Sequence, residues 1–281
     1  MEVEYKIKEI RDKVKAWKKE GYSVGFVPTM GYLHEGHASL IDQAKSSNDK
    51  VVVSIFVNPT QFGPTEDLEA YPRDFEADAK LCEKYGVDAI FFPSPEEMYP
   101  DGYKIETQIA LPRLAQNLCG KSRPTHFAGV CLVVLKLFNI VTPTHAYFGK
   151  KDYQQFRIIK TMVQELNLDI QVIGCEIVRE TSGLALSSRN TYLSAEEKNQ
   201  ALVLSESLNL AKKLLEKNET DTTQIINKMK ELIAQKDLAK IDYISIVDEK
   251  TLTDVINIEG KILIALAVFV GKTRLIDNMV Y

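Results

Sequence analysis

The chain has 281 residues, 45% of them hydrophobic and 26% charged, with only 14 Gly and 10 Pro. This excludes a disordered or fibrous protein and predicts two globular domains of unequal length. A formal net charge of -4 supplies no long-range field for a phosphate backbone, so nucleic acid is not an expected partner.

The N-terminal stretch MEVEYKIKEIRDKVKAWKKE is charged throughout and lacks the apolar core of a secretory signal. Short β-branched and aromatic runs follow in order, SVGFVP, VVVSIFV, DAIFFP, HAYFG and DIQVIGCEIV, each reading as a buried parallel strand. Between them HASLIDQAKSS, RDFEADAKLCEKYG, VCLVVLKLFNIV and YQQFRIIKTMVQELN return apolar residues at every third or fourth position, the helical period. The alternation predicts an α/β fold with a Rossmann-like doubly wound parallel sheet over residues 1–175.

From residue 176 the texture changes to that of a smaller C-terminal α+β domain, 176–281. LSAEEKNQALVLSESLNLAKKLLEKNE predicts one long surface helix, with Ser194 as N-cap and Glu197 three positions on, a capping box. TQIINKMKELIAQKD predicts a second helix, and DYISIVD and KILIALAVFV predict a short sheet. The apolar run ILIALAVFVG, ending at Gly271, is about half the ~20 residues a membrane span needs, so no membrane association is expected. Cys82, Cys119, Cys131 and Cys175 form no CxxC pair and read as buried thiols in a reducing, cytoplasmic setting.

The most informative segment is PTMGYLHEGH, Pro28 to His37, directly after a predicted strand and opening a helix. Gly31 and Gly36 permit positive φ or close backbone approach, and the helix start offers main-chain N–H groups to an anion. His34 and His37 beside it can donate to phosphoryl oxygens as charge builds in a transition state. Two other readings stand beside this one: an HxxH metal site, for which no third ligand is evident, and a pair of incidental surface histidines.

Two strings mimic a phosphate loop, GKS at Gly120 and GKT at Gly271. The required Gly five positions earlier is Ala115 in one and Leu266 in the other, so neither qualifies. VSIFVNPTQF places Asn58 and Gln61 past the C-terminal end of a strand, where ligands of open α/β sheets collect. Turn chemistry alone accounts for Asn58-Pro59, whereas the Gln61 amide can both donate to and accept from a substrate. FGKKDYQQ puts Gly149, Lys150, Lys151 and Asp152 at a further strand end, either a second phosphate site or a solvated turn. ETSGLALSSRN is a polar loop at the domain junction, placed to cover a ligand, in vocabulary that is also common in loops.

Taken together, PTMGYLHEGHASL, VSIFVNPTQF, EDLEAYPRD, RPTHFAGVCLVVLKLFN, YFGKKDYQQ, GLALSSRN and RLIDNM resemble, in order and over nearly the whole chain, the pantothenate synthetase family. The first motif is similar to the HIGH signature of nucleotidylyltransferases and class I aminoacyl-tRNA synthetases, and Ser187-Ser188-Arg189 to the counterpart of their KMSKS loop. The resemblance implies an ATP-dependent, AMP-forming ligase that joins pantoate to β-alanine through a pantoyl adenylate. Mg²⁺ is implied as cofactor, bound mainly through the ATP phosphates, and a cytoplasmic homodimer as assembly.

Carried over by position, Met30, Gly31, Tyr32, Leu33, His34, Glu35, Gly36 and His37 are implied to bind ATP. Gly149, Lys150, Lys151, Asp152, Val178, Leu186, Ser187, Ser188 and Arg189 would complete that site. His37, His34, Lys151 and Arg189 are the implied catalytic set. Gln61 is implied to hold pantoate and to lie close to β-alanine, Gln155 to hold pantoate, and Asn58 joins them as a substrate-binding candidate. The smaller domain is implied to act as a lid. Thr125, Ala128, Lys150 and Ser182 depart from the family's usual residues. A nucleotidylyltransferase shares the HxGH turn but keeps the nucleotide in its product. A nucleotide-binding module with a decayed site would show losses among His34, His37, Lys151 and Arg189, and all four are present.

Overall fold

The computed structural model describes residues 1–64, 66, 68–103 and 105–281; Asp67, within the EDLEAYPRD string, lies outside them. The chain forms two compact units, one of residues 1–112, 123–150 and 155–176, the other of residues 113–122, 151–154 and 177–281. Two short segments that precede residue 176 thus belong with the C-terminal part of the chain.

The first unit is built on six parallel strands: β1 (Glu2–Glu4), β2 (Val24–Thr29), β3 (Lys50–Ile55), β4 (Ala89–Phe91), β5 (His145–Gly149) and β6 (Gln171–Cys175). Their order across the sheet is β1-β4-β3-β2-β5-β6. The chain therefore winds outward from β2 through β3 and β4, then returns to place β5 on the other side of β2. That pairing, Gly25 with His145 and Phe26 with Ala146, is the topological switch point, where ligands of such sheets bind at the carboxyl ends of the strands.

Val27, Val51, Val53, Ile90 and Tyr147 are fully buried, which is why these strands read as continuous apolar runs rather than as alternating ones. Ile41 and Ala44 of helix α2 (Glu35–Ser47) pack into the same core. Strand β1 was not legible in the sequence. It is three residues long and carries Glu2 and Glu4 on a sheet edge, both paired with Lys13 of helix α1 (Ile7–Lys19), so it resembles a charged tail.

The second unit carries the antiparallel sheet β7 (Ala239–Asp248), β8 (Ile262–Val270), β9 (Thr273–Val280), in that order. Ile264, Leu266 and Val268 of the central strand are fully buried in one cluster with Leu204, Leu208, Ile225 and Met229. These last come from helices Val203–Leu215 and Thr222–Ile233. The single long helix expected after Ser194 is two, Ala195–Ala201 and Val203–Leu215, separated at Leu202. Its capping box is formed as expected: Ser194 Oγ accepts from Glu197 N at 3.2 Å and Ser194 N donates to the Glu197 carboxylate at 2.8 Å, an arrangement worth about 1 kcal/mol. The GKT string is the β8–β9 hairpin turn, with Val270 paired to Thr273 and Gly271 at φ 57°. The GKS string lies in the short helix Cys119–Ser122.

Candidate active site

At the end of β2 the chain turns through Met30, Gly31, Tyr32 and Leu33 to His34, the N-cap of α2. Gly31 (φ 83°) and Tyr32 (φ 52°) both lie in the left-handed region, which for a tyrosine costs on the order of 1 kcal/mol. Glycine is required at position 31 on a second ground. A Cβ there would sit 2.9 Å from an Asp78 carboxylate oxygen and 3.0 Å from the Ile55 side chain.

Asp78, on helix α3 (Phe75–Lys84), holds the turn in this shape: one oxygen accepts from Tyr32 N at 2.9 Å and the other from Leu33 N at 2.6 Å. Its side chain is buried. Burial pushes the Asp78 carboxyl above the usual range, against the opposing pull of the Leu33 and Tyr32 N–H groups. Thr29 Oγ1 completes the fastening, accepting from Gly31 N and donating to Ser54 O on β3.

The two imidazole rings lie with centroids 4.2 Å apart and planes tilted by 41°. His34 Nδ1 accepts from Gly36 N at 3.1 Å, and His37 Nδ1 accepts from His34 N at 3.3 Å. A ring nitrogen that accepts a main-chain N–H carries no proton, so in each neutral imidazole the proton is on Nε2. Both imidazoles thus stand at the helix start beside the strand end, the place where anions bind in such sheets. Glu35, the exposed first residue of α2, accepts from Tyr85 Oη at 3.1 Å.

Gln61 ends a 3-10 turn, Pro59–Gln61, and is 8% exposed. Its amide donates to Met30 Sδ at 2.8 Å and accepts from Asn58 Nδ2 at 3.2 Å, which ties it directly to the histidine turn. Its main-chain carbonyl lies 2.8 Å from His126 Nδ1. Asn58 is buried and meets protein on both amide atoms: Nδ2 donates to Gly129 O as well as to Gln61, and Oδ1 accepts from Thr60 Oγ1 and Tyr99 Oη. Gly129 lets helix His126–Val141 approach this turn, since a Cβ there would lie 2.2 Å from Thr60 O.

Gly149 and Lys150 stand at the end of β5, the strand beside β2. Lys150 pairs with Glu176, which gives this departure from the family's residue a local partner. Gln155 is half-buried on helix Tyr153–Glu165.

In the second unit, Lys151 is neighbour to Asp152, 3.6 Å from its carboxylate. Val178 and Leu186 pair through Leu186 N to Val178 O at 3.0 Å, closing a hairpin with Gly183 at its turn (φ 96°). That hairpin feeds Ser187, whose Oγ accepts from Arg189 N at 3.3 Å, and the 3-10 turn Ser188–Tyr192. Asn190 donates to Ala185 O and to Glu180, fastening the loop back onto the hairpin. Among the described residues no group of three His, Cys, Asp or Glu is placed to hold a metal ion.

The sequence offers the histidines, both glutamines, the lysines and the Ser-Ser-Arg run as candidates, and the structure adds Asp78 and Tyr99 as residues that hold candidate segments in place. Both act on segments more than forty positions distant, Asp78 through two hydrogen bonds and Tyr99 through one. No periodicity or local motif encodes such a bond.

The chain matches the Pantoate-beta-alanine ligase family model over residues 2–280. It is 58% identical over 275 residues to a pantothenate synthetase of Caldicellulosiruptor saccharolyticus, covering 98% of this chain and 97% of that one. With a pantothenate synthetase of Clostridium botulinum it shares 54% over 281 residues, 100% of this chain and 99% of the other. Among solved structures it is similar to the pantothenate synthetase of Thermus thermophilus, with TM-score 0.93 at 40% identity and 99% of each chain covered. It is also similar to the pantoate-beta-alanine ligase of Francisella tularensis, solved with an ATP ligand and β-alanine, with TM-score 0.80 at 38% identity, 99% of this chain and 97% of that one covered. On both sequence and structure, the chain belongs to the pantoate–β-alanine ligase family, the pantothenate synthetases.

Proposed function

We propose that the chain condenses pantoate with β-alanine, cleaving ATP to AMP and diphosphate, with the residues above in the following roles. A pantoate carboxylate oxygen attacks the α-phosphorus of ATP, the bond from that phosphorus to the diphosphate oxygen breaks, and pantoyl adenylate forms. The amine of β-alanine then attacks the acyl carbon, the acyl carbon–oxygen bond breaks, AMP leaves, and the nitrogen gives up a proton to become the amide.

The His34–His37 pair carries this reading. Placed at the start of α2 with each Nδ1 accepting a main-chain N–H, the pair suits the phosphoryl oxygens on which charge builds in the first step. Lys151 and Arg189 are assigned to the same triphosphate as point charge and fork respectively. Met30 to His37, Gly149 to Asp152, Val178 and Leu186 to Arg189 are assigned to ATP as a whole. Gln61 and Gln155 are assigned to pantoate, with Gln61 also near β-alanine. Asn58, spent on Gln61, Gly129, Thr60 and Tyr99, serves by holding Gln61.

Mg²⁺ fits this residue set because it needs no closed cage of side chains: it keeps several waters and binds through phosphate oxygens. When bound it neutralises charge on the triphosphate. A homodimer in the cytoplasm is the assembly that the family resemblance supports.

The purified protein should form AMP over many turnovers only when ATP, pantoate and β-alanine are all present. Full, sustained AMP formation without β-alanine would contradict the ligase reading.

A further inference from the structure

Asp277 and Asn278 are consecutive residues of β9, both buried, 2% and 5% exposed. Successive side chains of a strand leave on opposite faces, and these two reach different segments of the second unit. Asp277 takes the Arg179 guanidinium with both oxygens, at 2.6 and 2.9 Å, and Arg179 donates onward to Gly183 O at 3.2 Å. It thus clamps the base and the turn of the Val178–Leu186 hairpin. Asn278 Nδ2 donates to the main-chain carbonyl of Lys151 at 2.7 Å. Asn278 N donates to Asp277 Oδ1 at 2.8 Å, so the two contacts are themselves coupled.

Neither residue is needed where it stands for packing alone. A buried carboxylate and a buried amide cost free energy unless their partners are satisfied, and apolar residues would suit a sheet interior better. Both instead fasten loop segments that precede them by roughly a hundred positions or more.

We propose that Asp277 and Asn278 are positioning residues for nucleotide binding. Asp277 sets the hairpin that leads into Ser187–Arg189, and Asn278 sets the main chain from which Lys151 projects. One short strand segment thereby fixes both of this unit's ATP-directed segments. The inference rests on the assignment of Lys151 and Ser187–Arg189 to ATP.

The test is steady-state kinetics of the full-length protein with Asn278→Ala, alongside Lys151→Ala as the check on that assignment. Asn278→Ala should raise KM for ATP about five- to tenfold, the size of one lost positioning hydrogen bond, with KM for pantoate changed less than about twofold. An unchanged KM for ATP in Asn278→Ala, with a raised one in Lys151→Ala, overturns the proposal and leaves the site assignment standing. An unchanged KM for ATP in Lys151→Ala removes the assignment, and the proposal with it. An equal rise in KM for ATP and pantoate, the mark of general loosening, also overturns the proposal. Should Asn278→Ala not fold, Arg179→Lys keeps the charge and loses the fork; a rise in KM for ATP alone supports the proposal, and none overturns it.

Discussion

Asp78 accepts the main-chain N–H of Leu33 at 2.6 Å across 45 residues of chain, and with its other oxygen that of Tyr32. A buried carboxylate on α3 therefore holds the left-handed turn that delivers His34 and His37 to the start of α2. Asp78→Ala leaves two main-chain donors unsatisfied, at about 1–3 kcal/mol each, and releases a turn that Tyr32 adopts under strain. Its activity should fall at least tenfold with KM for ATP raised. Kinetics at saturating pantoate and β-alanine check this, and wild-type values would show that the turn holds its shape unaided.

The same residue sets a pH dependence. Burial raises the Asp78 carboxyl, the Leu33 and Tyr32 N–H groups oppose the rise, and Asp74 adds to it. A carboxyl whose native pKa exceeds its unfolded one contributes stability that is complete below the unfolded value, about 3.9 for Asp, and is lost as pH rises through the native value. The stability of the wild type relative to Asp78→Asn should therefore decline as pH rises through that interval and level off above it. Urea denaturation of both proteins across the acid range measures the slope, and a difference growing with pH would contradict the assignment.

His37→Ala removes an Nε2–H donor whose tautomer is set by His34 N. Its kcat should fall by on the order of ten- to a thousandfold, as for a lost transition-state donor. His34→Ala, which also removes the α2 N-cap acceptor for Gly36 N, should lose activity and about 1 kcal/mol of stability together. Rates and melting temperatures of the two variants separate these effects. An unchanged rate in His37→Ala would remove its catalytic role.

Gly129→Ala would press a methyl group against Thr60 O and the Gln61 main chain. The turn Pro59–Gln61 must shift to admit it, an overpacking cost of about 1–3 kcal/mol, and Gln61 moves with the turn. KM for pantoate should rise more than KM for ATP. Equal effects on both substrates would mean that the glycine serves packing only.

Burial pushes the thiols of Cys82 and Cys131 up to about 12, and that of Cys175 to about 11, with Glu176 adding to the rise and Lys150 opposing it. At pH 8 these three should be inert to an aromatic disulfide reagent in the native protein and react once it is unfolded. Rapid native labelling of any of them would place it nearer solvent than the fold allows.

Much of this architecture was legible because its signals are local. β2, β3 and β5 are apolar runs long enough to declare themselves, His34 and His37 sit inside one Gly-bracketed turn, and the Ser194–Glu197 box is four residues wide. What escaped depends on the fold. Strand β1 is a strand only because β4 and Lys13 accept it. The break at Leu202 lies inside an unbroken helical period. Asp78 read as one more polar position on α3, and the Asp277-Asn278 pair as part of a terminal motif. Their partners are brought close by topology, which no spacing in the sequence records.

In the proposed reaction pantoate is activated on its carboxylate as an acyl adenylate before the amine attacks. Pantoate labelled with oxygen-18 in both carboxylate positions tests it in one measurement, because the attacking oxygen stays on phosphorus when the acyl bond is broken. Mass spectrometry of the products should find one labelled oxygen in each AMP and the other in the amide. Unlabelled AMP, or label in diphosphate, would rule out an acyl adenylate.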